Sequence, residues 1–138
     1  MPVYTCSGKA GSISPSQKKQ IAQDITDIHC TTTVVPPTFV HVLFFDQDNT
    51  SGWPETDQIS LFGSIRDERS EETIASLKEQ IRTSVSQTLG LGLDKVPMTI
   101  RDQPARWTME GGHLLPVAGD EAEWQAAHDA RIAASGAP

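Results

Sequence analysis

Pro2 is the residue of this chain with the least ordinary chemistry. It follows Met1 directly, and a starting methionine is normally removed when the second residue is that small. The product is a secondary amine at the N-terminus, a base that needs no cofactor. An α-amino group titrates near ~7.7–8.0 in model peptides, and a dry pocket or neighbouring cations would move it toward the range that favours general acid–base work at neutral pH. The plain alternative is that Pro2 only stiffens the start of an edge strand, where its missing N–H does no harm. Further along, Arg66 and Arg69 precede Ser70 at a place that reads as a strand-to-helix junction. Two guanidiniums there offer a fork for a carboxylate, and the helix N-terminus adds a partial positive charge. Their plain alternative is a surface ion pair with Asp67, Glu68, Glu71 or Glu72.

The elements that must position these groups fit one domain, since 138 residues can bury a single core but hardly two. The formal charge is −7, which provides no basic field for phosphates, so nucleic acid is excluded as an expected partner. Phe39 to Phe45 is the most apolar run and far too short to span a bilayer, and the N-terminus lacks a charged-then-apolar signal pattern. No membrane partner is expected, and the location is read as cytoplasmic. Cys6 and Cys30 show no CxxC or Cys/His ligand spacing, so no metal is expected and both read as buried thiols. Asn49-Thr50-Ser51 matches a glycosylation sequon, which matters only in a secreted chain.

Val3 to Ser7 reads as a short strand, ended by turn signals from Gly8 to Gly11. Ser14, Pro15 and Gln17 form a helix start with a capping box, and Ile21, Ala22, Ile25 and Ile28 repeat at helical spacing. The helix is expected from about Pro15 to about Cys30, stopped by Thr31 to Thr33 and by Pro36-Pro37. Thr38 to Phe45 suits a central strand covered on both faces, with His41 as a core or interface histidine. Asp46 to Asp57 is a polar loop. The second half then repeats the first: a strand at Gln58 to Ile65, a helix from Ser70 with the stripe Ile74, Leu77, Ile81, Val85 and Leu89, a stop at Gly90, and a strand at Val96 to Ile100. The chain thus divides into a first β-α-β unit at 1–46, a second at 57–103, and an irregular stretch at 104–138 that ends in a short Ala-rich helix from Glu121 to Ala133. Trp107, Met109 and Trp124 read as packing groups. Two β-α-β units side by side predict an α/β fold, a four-stranded sheet with both helices on one face. The bare face then needs a cover, which other subunits would provide.

At this point the chain resembles the tautomerase superfamily, and within it most closely the cis-3-chloroacrylic acid dehalogenase family. The resemblance is carried by Pro2-Val3-Tyr4, by Ile25-Thr26-Asp27-Ile28-His29, by Arg66 and Arg69-Ser70, and by Pro104-Ala105 followed by Glu110 and Leu115-Pro116. It implies two β-α-β units in a trimer, with no cofactor. It also implies that Pro2 is the acid–base amine, that His29, Arg66 and Arg69 hold a substrate carboxylate, and that Glu110 polarises a water molecule. Where dehalogenases of that family carry a tyrosine beside the glutamate, this sequence has Thr99, a departure that counts against hydrolytic dehalogenation.

Three readings follow. The first is a cofactor-independent tautomerase of small 2-oxo acids or their enols. A second keeps the family but adds water to 3-substituted acrylic acids, as a hydratase or hydrolytic dehalogenase. The third is a non-catalytic oligomer with the inherited shape. Taken without the resemblance, His29 reads as a helix C-terminal cap and Glu110 as an ordinary loop charge.

Overall fold

The computed structural model describes residues 2–48, 51–52, 58–117 and 119–136. The sequon at Asn49 and Thr50 and part of the expected loop before Gln58 lie outside these residues, as does Met1. Strand β1 (Val3–Lys9) leads to helix α1 (Pro15–Thr33) and strand β2 (His41–Gln47). Strand β3 (Ile59–Arg66), helix α2 (Glu71–Leu89) and strand β4 (Met98–Gln103) repeat that order. The four strands form one sheet in the order β2-β1-β3-β4. Each β-α-β unit contributes a parallel pair, and the units join through antiparallel β1 and β3, with Tyr4 opposite Gly63.

Local chemistry explains the helix starts. The Ser14 hydroxyl accepts from the Gln17 N–H at 3.2 Å while the Gln17 side chain accepts from the Ser14 N–H at 2.8 Å, satisfying two otherwise orphaned donors. Ser70 caps α2 in the same way through the Thr73 N–H. Both helices bury one stripe against one face of the sheet: Ile21, Ile25 and His29 from α1, and Leu77, Ile81 and Val85 from α2. They meet Tyr4, Cys6, Ile59, Leu61 and Ile65 in a single core. Each fully buried aliphatic side chain there stabilises the fold by about 1.5–3 kcal/mol. Gly63 is required in this layer, because a Cβ there would stand 2.7 Å from the Tyr4 ring.

Several expectations are corrected. Helix α1 continues through Thr31–Thr33 instead of stopping near Cys30. The Thr33 hydroxyl donates back to the His29 carbonyl at 2.7 Å, which keeps a β-branched residue in the helix. The end is set by Val34 in the left-handed region at φ 57°. Strand β2 is an edge strand, not a central one, and pairs only with β1 among the described residues. Its Val42 and Phe44 turn toward the core, whereas Leu43 and Phe45 are 49% and 47% exposed on the open face beside Phe62. An unbroken apolar run signals cover on both sides, but one of those covers is not supplied by the described residues. His41 is exposed and lies outside the core.

The stretch after β4 is more regular than expected. Strands β5 (Met109–Glu110) and β6 (His113–Leu114) make a small hairpin around Gly111 and Gly112, whose φ values of 58° and 80° call for glycine at both turn positions. Helix α3 (Glu121–Ser135) follows. Trp124 packs edge-on to Phe39, stacks on His128 and donates to the Leu114 carbonyl. Trp107 and Met109, by contrast, are 68% and 65% exposed rather than packed. Among the described residues, no helix is long and apolar enough to cross a membrane.

Candidate active site

Pro2 is buried at the start of β1, where its carbonyl accepts from the His41 N–H at 3.0 Å. Strand alternation puts Tyr4 on the core face, and its hydroxyl meets His29 Nδ1 at 2.7 Å. The two rings cross at 70° with centroids 5.6 Å apart. Burial raises the Tyr4 phenol well above its usual range, so the hydroxyl keeps its proton. With the Tyr4 hydroxyl assigned as the donor to Nδ1, the imidazole carries its proton on Nε2. His29 is 2% exposed. Burial, then the charges of Arg69 and Arg66, lower its pKa to about 4. At neutral pH His29 is therefore an uncharged hydrogen-bond donor. It is also one turn inside α1, so it is not a C-terminal cap.

Because β3 runs antiparallel to β1, with Val3 opposite Ser64, the end of β3 at Arg66 lies at the same end of the sheet as Pro2. Glu68, with φ 69°, turns the chain there so that Arg69 leads into the Ser70 cap. Arg66 is 4% exposed, and its guanidinium is held by the chain: Nη1 donates to the Pro116 carbonyl at 2.6 Å, and Nη2 to a Glu121 oxygen at 2.5 Å. None of the four neighbouring acids takes that role; the partner lies 55 positions away. Glu121 loses solvation there, but the Arg66 hydrogen bond, the backbone N–H groups of Glu121 and Gly119 and the Arg66 charge together outweigh that loss and hold its carboxyl below the usual range. Arg69 is half-buried, and its Nε is buried without a hydrogen-bond partner. Burial, then Arg66, lowers its pKa. The sheet end thus gathers Pro2, a neutral imidazole donor and two guanidiniums, one satisfied and one with an unspent donor.

Glu110 is placed differently. It is half-buried on the hairpin opposite His113, and among the described residues no hydrogen bond or ion pair joins it to Pro2, His29, Arg66 or Arg69. Thr99 is exposed on the open sheet face, opposite Phe62. A cavity of about 150 Å³ beside Arg66 is also lined by Asp67, Glu68 and Arg106. Its two carboxylates offset its two guanidiniums, so the lining carries no net positive charge for an anion. Neither thiol is an activated nucleophile: burial pushes Cys6 up to about 12 and raises Cys30 as well.

Sequence reasoning missed two members of this cluster. Tyr4 could have been found, since it lies two positions after Pro2 and at strand spacing from Cys6. Glu121 carries no local signal, because its partner is set by where the chain returns after the hairpin.

Comparison with known proteins identifies the family. A family model described as "Putative oxalocrotonate tautomerase enzyme" matches residues 1–131. No curated protein matches the chain. The crystal structure of N1, a member of the cis-3-chloroacrylic acid dehalogenase family, is similar at 31% identity with a TM-score of 0.81, covering 90% of each chain. Native Ps01740 is similar at 29% identity and TM-score 0.73, over 78% of this chain and 99% of that one. An asymmetric trimer of the F6 fused 4-OT shares the fold at 14% identity and TM-score 0.69, over 81% and 94%. With the family model spanning nearly the whole length, and the paired β-α-β units matched in solved structures, the chain belongs to the tautomerase superfamily, in its cis-3-chloroacrylic acid dehalogenase family.

Proposed function

We propose that the protein is a cofactor-independent tautomerase of small 2-oxo acids or their enols. The observation that carries this reading is the buried Arg69 Nε without a partner, at the sheet end where β1 begins with Pro2. Removal of Met1 leaves Pro2 as a secondary amine. Arg69 receives the substrate carboxylate, and the His29 Nε2–H supplies a neutral donor beside it. The Pro2 amine takes the proton next to the carbonyl, and the resulting ammonium returns it to a different atom. The positive charge of Arg69 steadies the enolate between these steps. The same charge disfavours the ammonium form of Pro2, which keeps the base free at neutral pH. Pro2→Ala should lower ketonisation of phenylenolpyruvate by at least about 100-fold while leaving the fold intact. Unchanged turnover would refute the assigned base.

Leu43, Phe45 and Phe62 on the open sheet face support a homotrimer in which other copies cover that face. Light scattering at the mass of a lone chain would count against it.

The 31% identity to a relative in the dehalogenase family favours a second reading. There Pro2 acts as the acid and Glu110 activates water for addition to a three-carbon unsaturated acid. Halide release from a 3-haloacrylate that disappears in Glu110→Gln would support it. No halide release would count against that reading.

A further inference from the structure

Arg66 spends its donors on its own chain. With side chains 4% and 13% exposed, Arg66 and Glu121 form the most sheltered ion pair among the described residues. The second oxygen of Glu121 accepts from the Gly119 N–H at 2.8 Å, so the carboxylate is held from both sides. The Pro116 carbonyl takes the remaining direction of the fork at 2.6 Å. Arg69 has no hydrogen bond or ion pair to any described residue, and its buried Nε lacks an acceptor. The two guanidiniums are near enough for each to act on His29 and for Arg66 to act on Arg69, yet only Arg66 has partners among the described residues.

We propose that Glu121 sets the specificity of this site for acids with a single carboxylate: it occupies Arg66 as a built-in anion and leaves Arg69 to bind the substrate. The inference rests on the reading of the sheet end as the substrate site. Arg69 is then the guanidinium left without a hydrogen bond to any described residue, with the Glu68 charge also acting on it. A second carboxylate would have to displace Glu121 from a sheltered bidentate-capable partner, or stay beside it with no compensating charge. Arg66 is correspondingly a positioning residue, which ties the segment from Pro116 to Glu121 against the end of β3.

Calorimetric titration tests this without requiring turnover. The purified protein should bind 2-oxobutanoate at least about tenfold more tightly than 2-oxoglutarate. In Glu121→Ala, the freed Arg66 should tighten 2-oxoglutarate by at least about tenfold, while 2-oxobutanoate changes by less than about threefold. Equal affinity for the two acids in the unaltered protein overturns the inference, as does failure of 2-oxobutanoate to bind. So does a folded Glu121→Ala variant whose preference is unchanged. If circular dichroism shows that variant unfolded, the comparison in the unaltered protein decides alone. Selective binding without ketonisation would sustain this inference while removing Pro2 as the base.

Discussion

Acid should destabilise this protein through one identifiable side chain, His29. In the folded chain its pKa falls from 6.5 to about 4, chiefly by burial and then by Arg69 and Arg66. Between those values the unfolded chain holds more protons than the folded one, so stability rises with pH across the window. The contribution is fully present above about pH 6.5 and lost as pH falls toward 4. At about 1.36 kcal/mol for each pH unit, the loss approaches about 3 kcal/mol. That is a large share of a typical total of about 5–15 kcal/mol. Urea unfolding at fixed protein concentration, from pH 7.5 down to 4.5, should show the unaltered protein losing about 3 kcal/mol more than His29→Gln. Carboxylates titrate in both proteins and cancel in the difference. The His29 ring protons followed by NMR should move near pH 4. Equal losses in the two proteins, or a ring titration near 6.5, would refute the claim that the buried imidazole stays neutral. Tyr4→Phe removes the donor at 2.7 Å and strands Nδ1, so at neutral pH it should cost about 1–3 kcal/mol.

Two other sites give sharp outcomes. Val34 holds a left-handed conformation at φ 57° while 86% exposed. Val34→Gly should therefore raise stability by about 1 kcal/mol, and a calorimetric melt that does not move upward would contradict the assigned strain. Gly63→Ala would drive a methyl to 2.7 Å from the Tyr4 ring, so it should cost about 1–3 kcal/mol and shift the His29 ring signals; a silent substitution would mean that Tyr4 does not lie over Gly63.

Most of the fold was legible because periodicity and caps are local. Ser14 with Gln17 marked the start of α1, and Leu77, Ile81 and Val85 marked the buried stripe of α2. The placement of β2 was not legible. A run such as Phe39 to Phe45 records that something covers it, and cannot say whether the cover is the same chain. The helix end was misjudged because a β-branched triplet is poor helix sequence only until a hydroxyl finds a carbonyl, as Thr33 does. At the candidate site, the residue types pointed to acid–base and carboxylate chemistry, whereas the state of each group did not show. That His29 is neutral depends on its burial and on Arg69 and Arg66, and that Arg66 is paired depends on Glu121, 55 positions away. Such pairings are products of chain return rather than spacing.

The measurement that bears most directly on the central claim is a nitrogen-15 NMR titration of Pro2 in protein labelled at proline. The account predicts an amine signal that titrates below the ordinary α-amino range of ~7.7–8.0, leaving the base free at neutral pH. A Pro2 nitrogen that shows an amide signal at every pH would contradict it.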